Sequence, residues 1–395
     1  MKLTALALVL LVACGDNIDP PRFDGGGDDV DGSTTATPHA MIVAGDFQAT
    51  GVMSSVDIAS RSSTNNIAPE TAVGADPILR KIGDELFVIN RIENNVTILD
   101  ANDAGLVEQL ATGDSSNPQD VAIDGDKVFV ATYARKGLIE ISRGSGAIVD
   151  IDLSADDPDL KPNCASVYKV GTKLFVTCQL LDDTNFFANR GLPGKVYVVD
   201  IATRAVQFEL DLSTSNPFSL LEQIPDGSMH AGDLVVGTVD FRFGNNNAGC
   251  IERITTGATP TAAGCMINNT ALSGGFASRL EVSLPTTTSP SAHVIPAPTL
   301  FFLVPRPDFS GGDVHTIDLV GETLAADAYN TAGQALADVA ACPDGTIVVA
   351  ENPPFGAPAN AAQGVRIYNS AKNEATSLAI RIGLKPTSSR GLVCY

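Results

Sequence analysis

From residue 39 onward, apolar residues fall in short runs bounded by Gly, Pro, Asn or Asp, and many alternate with polar neighbours. Runs of this length and period read as β-strands whose two faces meet different surroundings. The runs also recur. Ile82-Gly83-Asp84-Glu85-Leu86-Phe87-Val88-Ile89 is matched by Asp124-Gly125-Asp126-Lys127-Val128-Phe129-Val130-Ala131, by Val170-Gly171-Thr172-Lys173-Leu174-Phe175-Val176-Thr177, and more weakly by Asp344-Gly345-Thr346-Ile347-Val348-Val349-Ala350. Each is a turn built on Gly followed by an apolar strand. Leu86 and Val128 lie 42 residues apart and Val128 and Leu174 lie 46 apart, the length of one four-stranded propeller blade.

The flanks recur too. An extended stretch precedes these strands and usually opens with proline, at Asp76-Pro77, Asn117-Pro118, Lys161-Pro162, Asn216-Pro217 and Lys385-Pro386. Proline can start a strand because its missing N–H falls outside the ladder. Alternating strands follow, such as Val96-Thr97-Ile98-Leu99-Asp100 and Val196-Tyr197-Val198-Val199-Asp200. Six units open near Asp76, Asn117, Lys161, Asn216, Leu280 and Leu336. The seventh is split: Gly391-Leu392-Val393-Cys394 supplies an opening strand, while Ala40-Met41-Ile42-Val43 and Val52–Ile58 supply later ones. Joining the two halves completes a blade and removes the free sheet edges that invite aggregation. The expected architecture is therefore an all-β, seven-bladed β-propeller of four-stranded antiparallel blades spanning 39–395, closed by pairing of its N- and C-terminal strands. A β-solenoid would need much shorter repeats.

The first residues carry a different pattern. Lys2 precedes an apolar run, Leu3 to Ala13, that is too short to cross a hydrocarbon core of roughly 30 Å. The run ends in Leu11-Val12-Ala13-Cys14, which resembles the lipobox of bacterial lipoproteins. That resemblance implies cleavage after residue 13 and lipidation of Cys14, and two or more acyl chains anchor stably where one exchanges. Residues 14–38 then form an acidic tether, with Asp16, Asp19, Asp24, Asp28, Asp29 and Asp31 against Arg22. So little apolar surface cannot offset ordering entropy, so the tether is expected to be disordered. Its spacing does not match an EF-hand. Gly15 after the cysteine favours sorting to the outer membrane over retention at the inner one.

A net charge of −21 excludes nucleic acid as a partner, since phosphate binding needs clustered Lys and Arg. Six cysteines remain after Cys14, an even number in an exported chain, which suggests disulfides. The blade arrangement places Cys164 in an opener and Cys178 in the strand beside it, and puts Cys250 and Cys265 around one hairpin. Cys342 and Cys394 are left to each other, across the ring's seam. Metal binding is the competing reading, but there is no C-x-x-C pair and no histidine close to a cysteine in sequence.

Catalytic motifs are missing. His39, His230, His293 and His315 lie in no recognisable site; His315 alternates along a strand, and His230 occupies a polar loop where exposure is expected. The inner strands of a propeller line its channel, so Arg80, Asp120, Ser166, Asp338 and Ser388 are the channel-lining candidates. They form either a ring for a small ligand, including a divalent cation, or a set of hydrogen bonds to backbone at the tight inner ends of blades. The loop Phe241–Gly249 offers aromatic, arginine and amide groups to a glycan or peptide, or is simply a long turn-rich hairpin loop.

The repeats resemble the YVTN-type propeller family of bacterial envelope and surface-layer proteins, most clearly over 76–215. Residues 216–335 depart by long insertions. The family includes scaffolds, binding modules and enzymes, so it implies no single activity. Its lactonase-like members hold a channel metal with acidic and Asn ligands, which no residue here matches one by one. The expected function is a monomeric cell-envelope lipoprotein whose propeller binds or scaffolds a protein or polysaccharide, without a resident cofactor. The other readings are a lactonase-like hydrolase or quinoprotein-type oxidoreductase with its site in the channel mouth, and a structural surface component.

Overall fold

The computed structural model describes residues 38–185, 188–239, 248–272, 275–283, 295, 297–305, 311–326, 329, 335–352, 364–368, 379–386 and 390–395. Cys14 and the tether up to residue 37, His293, Ser388 and residues 241–247 of the long loop lie outside them.

Seven antiparallel sheets are arranged as blades in a ring. Blade 1 spans 77–111, blade 2 spans 118–152, blade 3 spans 164–211, blade 4 spans 222–268 and blade 5 spans 279–324. Blade 6 begins at Ala335–Ala341, and an isolated bridge between Val365 and Ile380 extends its described strands. Blade 7 joins the chain ends: Leu392–Cys394 pairs with His39–Gly45, in the register Ala40 with Cys394, Met41 with Val393 and Ile42 with Leu392. His39 and Tyr395 exchange backbone hydrogen bonds of 2.9 and 3.0 Å beyond the strand end. The closing strand is thus supplied as the split repeat predicts. Among the described residues no helix is long and apolar enough to cross a membrane.

Period-2 alternation explains how blades become a ring. In the second strand of blade 1, Phe87 and Ile89 pack with Val121 and Val130 of blade 2, whereas Leu86 and Val88 pack with Met41 and Val43 of blade 7. Both faces are therefore apolar and both are covered. The buried side chains divide into seven clusters, one for each contact between neighbouring blades. Hydrophobic burial at roughly 25 cal/mol per Å² favours closing the last interface as much as any other.

The recurrent Gly signal has a backbone cause. Ile82 pairs with Glu85, Asp124 with Lys127 and Val170 with Lys173, leaving two-residue turns. Gly83, Gly125 and Gly171 take the first turn position with φ of 59°, 60° and 59°, where primed turns match the strand twist and a Cβ would be strained.

Three disulfides pair Cys164 with Cys178, Cys250 with Cys265 and Cys342 with Cys394. The last ties blade 6 to the closing strand of blade 7. Such bridges point to an exported protein, because reducing compartments do not sustain them.

Candidate functional site

Three inner strands carry a bulge at the same point. Register with the neighbouring strand slips between Pro118 and Asp120, between Cys164 and Ser166, and between Leu336 and Asp338. A bulge re-aims the side chain that follows it, and here it sets a short polar group against the next blade. Asp120 accepts hydrogen bonds from Ser166 Oγ at 2.6 Å and Val167 N at 3.0 Å in blade 3, and from its own neighbour Val121 N at 2.9 Å. Ser166 Oγ in turn accepts from Leu221 N at the start of blade 4, at 2.9 Å. Asp338 accepts from Leu392 N of blade 7 and Val339 N, both at 2.8 Å. These groups tie blades together where they converge.

Arginines of the preceding blades complete both aspartates. Arg80 of blade 1 donates to Asp120 through Nε at 2.8 Å and Nη2 at 3.0 Å. Arg279 of blade 5 donates to Asp338 through Nε at 2.7 Å and to Glu281 through Nη2 at 3.0 Å. Glu222 of blade 4 stands between the two, with Oε1 3.2 Å from Arg80 Nη1 and 3.5 Å from Arg279 Nη1. A chain of alternating charge therefore crosses the ring: Asp120, Arg80, Glu222, Arg279, Asp338. Burial opposes the charge on Arg80 and on Arg279, and the adjoining carboxylates overcome it, so both pKa values are raised. Burial pushes the Glu281 carboxyl up to about 8 against the pull of Arg279, helped by Glu222 and Asp338.

The described channel carboxylates are thus engaged by guanidinium and N–H donors, and a divalent cation seated there would have to displace Arg80 or Arg279. Cys250, Glu252 and Cys265 also lie close together. Their sulfurs are joined in a disulfide, and Glu252 accepts from the backbone N and the Oγ of Ser213.

A cleft of about 240 Å³ opens where the inner strands begin. Its walls follow from another repeat. The residue preceding an inner strand accepts a backbone bond from the residue that follows the second strand: Arg91 N to Asp76 O, Tyr133 N to Asn117 O, Gln179 N to Asn163 O and Val239 N to Asn216 O, at 3.0–3.2 Å. Asn117, Asn163 and Asn216 hold φ of 47°, 51° and 50°, a left-handed conformation that asparagine tolerates better than most residues. Positions 91, 133 and 179 are therefore equivalent in successive blades, and Arg91, Tyr133 and Gln179 line the cleft together. Tyr133 Oη donates to Gln179 Oε1 at 3.0 Å, and Gln179 Nε2 to Pro217 O at 3.1 Å. Gln119 and Phe218 add an amide and an aromatic face.

Two guanidinium groups face this cleft. Arg91 pairs with Asp76. Arg390, just before the closing strand, reaches across the ring to the carbonyls of Ala165, at 3.1 Å, and Phe218. Burial and then the positive charge of Arg91 pull the Arg390 pKa down to about 9, with Arg279 and Arg80 adding to the effect and Asp120 opposing it.

Of the residues singled out in the sequence, Arg80, Asp120 and Ser166 meet in one network and Asp338 anchors its far end. Arg279, Glu222, Glu281 and Arg390 belong to the same region and lack any sequence signal that separates them from surface charges. The Asn residues before the openers were a usable signal for the cleft. His230 is half-buried rather than exposed, with Nε2 3.1 Å from Glu322 Oε1. His315 is half-buried too, and its ring stacks on Phe302 at 5.7 Å.

No family model matches the chain, and no curated protein matches it. Solved structures do. The chain is similar to a functionally unknown protein from Desulfotomaculum acetoxidans, with 13% identity and a TM-score of 0.54 over 90% of this chain and 98% of that one. It is similar to a quinonprotein alcohol dehydrogenase-like protein from Bacteroides thetaiotaomicron, with 11% identity and a TM-score of 0.53 over 86% and 74%. It is also similar to virginiamycin B lyase from Staphylococcus aureus, with 12% identity and a TM-score of 0.50 over 81% and 94%. Identities this low show the propeller fold and nothing of its use.

Proposed function

We propose that this protein is a lipid-anchored component of the bacterial envelope, held through Cys14, whose propeller is a binding module of the YVTN type with its ligand seat in the mouth cleft. One observation carries the reading. Equivalent positions of three successive blades place Arg91, Tyr133 and Gln179 around a single recess. Loop positions held by a rigid scaffold are where binding residues concentrate. The Leu11–Cys14 pattern supports the anchor, and the disulfides support an oxidising location outside the cytoplasm. Gly15 favours the outer membrane, and a saccharide or protein of the envelope is the expected partner of a monomer.

The enzyme reading has less behind it. Asp76 in the cleft is tied to Arg91, and His230 and His315 pack against Glu322 and Phe302 instead of lining it. Lyase and dehydrogenase-like relatives in fold add no residue correspondence. Two measurements test the proposal. Radiolabelled fatty acid should be incorporated into the wild-type chain and not into Cys14→Ser. Hydrogen exchange of the full chain with envelope saccharide fractions should slow around Asn117, Tyr133, Gln179 and Phe218. Protection confined to other surfaces would remove the cleft from consideration.

A further inference from the structure

The polar groups of the cleft divide into an engaged wall and an open one. Towards blade 3, Tyr133 bonds to Gln179 and Gln179 to the Pro217 carbonyl. Towards blade 1, four groups keep bonding capacity. Arg91 meets Asp76 through a single Nη2–Oδ1 contact, and the two side chains stay 22% and 16% exposed. Arg91 Nη1 and Asp76 Oδ2 are left without a partner among the described residues. The Gln119 amide donates through Nε2 to Asn117 O at 3.2 Å and Asn117 Oδ1 at 2.8 Å. Gln119 Oε1 and Asn117 Nδ2 are open in the same sense, and all four residues line the cleft.

The open groups are two donors and two acceptors, interleaved on one wall. Desolvating such a group without a partner costs free energy, so a fitting ligand must both donate and accept there. A hydroxyl does both. Adjacent hydroxyls suit the Arg91–Asp76 pair: one accepts from Nη1 while its neighbour donates to Oδ2. A carboxylate only accepts, and would bring its oxygens against Asp76 Oδ2 and Gln119 Oε1. An ammonium only donates, and would meet the Arg91 guanidinium and the Asn117 amide. The donor–acceptor balance of this wall therefore selects a neutral polyhydroxylated ligand. Phe218, held edge-to-face on Phe276 with ring centroids 5.6 Å apart, gives the cleft an aromatic surface against which the C–H face of a sugar packs. A cleft of about 240 Å³ is smaller than the usual drug-sized site and suits one sugar-sized ring.

We infer that the mouth cleft binds a neutral sugar ring through adjacent hydroxyl groups, with the Arg91–Asp76 pair clamping two of them and Gln119 and Asn117 engaging a third. The inference rests on the cleft being the ligand seat and adds the class of ligand. D-glucose, D-galactose, D-mannose, acetate and inorganic phosphate are the probes, titrated by calorimetry into the full chain held in a non-glycosidic detergent, with hydrogen exchange read in parallel. At least one hexose should bind saturably and protect the cleft, with an affinity that raised salt leaves unchanged. Acetate and phosphate should not bind. Asp76→Ala should lower the hexose affinity roughly tenfold or more, through loss of a charged acceptor. Gln119→Met, which leaves the Arg91–Asp76 pair in place, should weaken binding less and serves if Asp76→Ala fails to fold. Failure of all three hexoses to bind would overturn the sugar-ring assignment, and so would a hexose affinity unchanged in both variants. Neutral and acidic envelope saccharide fractions, separated by anion exchange, tell the two levels of the argument apart. If only the acidic fraction protects the cleft, the ligand class is wrong and the seat stands. If both fractions leave the cleft unprotected, the binding reading falls with it.

Discussion

Replacing Asp120 by alanine should destabilise the propeller by removing the acceptor that holds three blades together. The carboxylate is fully buried and accepts from Arg80 Nε and Nη2, Ser166 Oγ, Val167 N and Val121 N. In Asp120→Ala these donors lose their partner, and Arg80, only 15% exposed, keeps Glu222 alone. Breaking a buried ion pair from one side typically costs about 3–5 kcal/mol, because the remaining charge stays desolvated. For a domain of roughly 360 residues the unfolding entropy near the midpoint is about 0.75 kcal/mol/K, so the melting temperature should fall by about 4–7 °C. Differential scanning calorimetry at low scan rate, with urea titration followed by circular dichroism, measures both quantities. Removing the charge from both sides, as Arg80→Met with Asp120→Leu, should recover much of the loss, since a buried pair and an apolar pair of similar volume are often close in energy. A loss below about 1 kcal/mol in Asp120→Ala, smaller than an ordinary hydrogen-bond deletion, would refute the idea that this network secures the inner ends of the blades. So would an Arg80→Met cost that is the same with and without Asp120.

Two further outcomes follow from the same physical picture. Cys342→Ser combined with Cys394→Ser opens a loop of 52 residues, worth about 4 kcal/mol in the chain-entropy account. The oxidised wild type should therefore melt about 5 °C above the variant, and coincident melts would show that the bridge does not secure the seam. The pH dependence concerns Glu281, whose folded pKa is raised from 4.5 to about 8. The folded state binds its proton more tightly than the unfolded chain, so this contribution to stability is complete below pH 4.5 and is lost as pH rises through about 8. Glu281→Gln should flatten that fall in urea-unfolding free energy measured across the same range; parallel curves for the two proteins would rule the titration out.

Much of the architecture is legible in the chain because blades are local objects. Gly83, Gly125 and Gly171 mark the tight turns, the strands after them show their period, and spacings of 42 and 46 residues give the blade length. The split seventh unit is legible for the same reason: Leu392–Cys394 and His39–Gly45 are each incomplete, and each is the missing part of the other. Disulfide partners follow once the blades are counted, since only neighbouring strands bring cysteines within bonding distance. The channel network is another matter. Asp120 and Ser166 stand out as polar residues on apolar openers, but Arg279 and Glu222 look like any other charged residues in the two units where long insertions blur the repeat.

Sequence alone therefore determined what a local, repeated pattern carries: turns, strands and blade period directly, and closure and bridges by completing the repeat across the chain ends. Tertiary structure decided which charges meet. Arg80 and Glu222 are 142 residues apart, and Arg390 lies 225 residues from the Ala165 carbonyl it reaches. No period relates such partners, because ring closure juxtaposes the inner ends of all the blades at once. Electrostatic pairing and the cleft's lining are properties of that convergence, where a few ångströms and the loss of water set the energies.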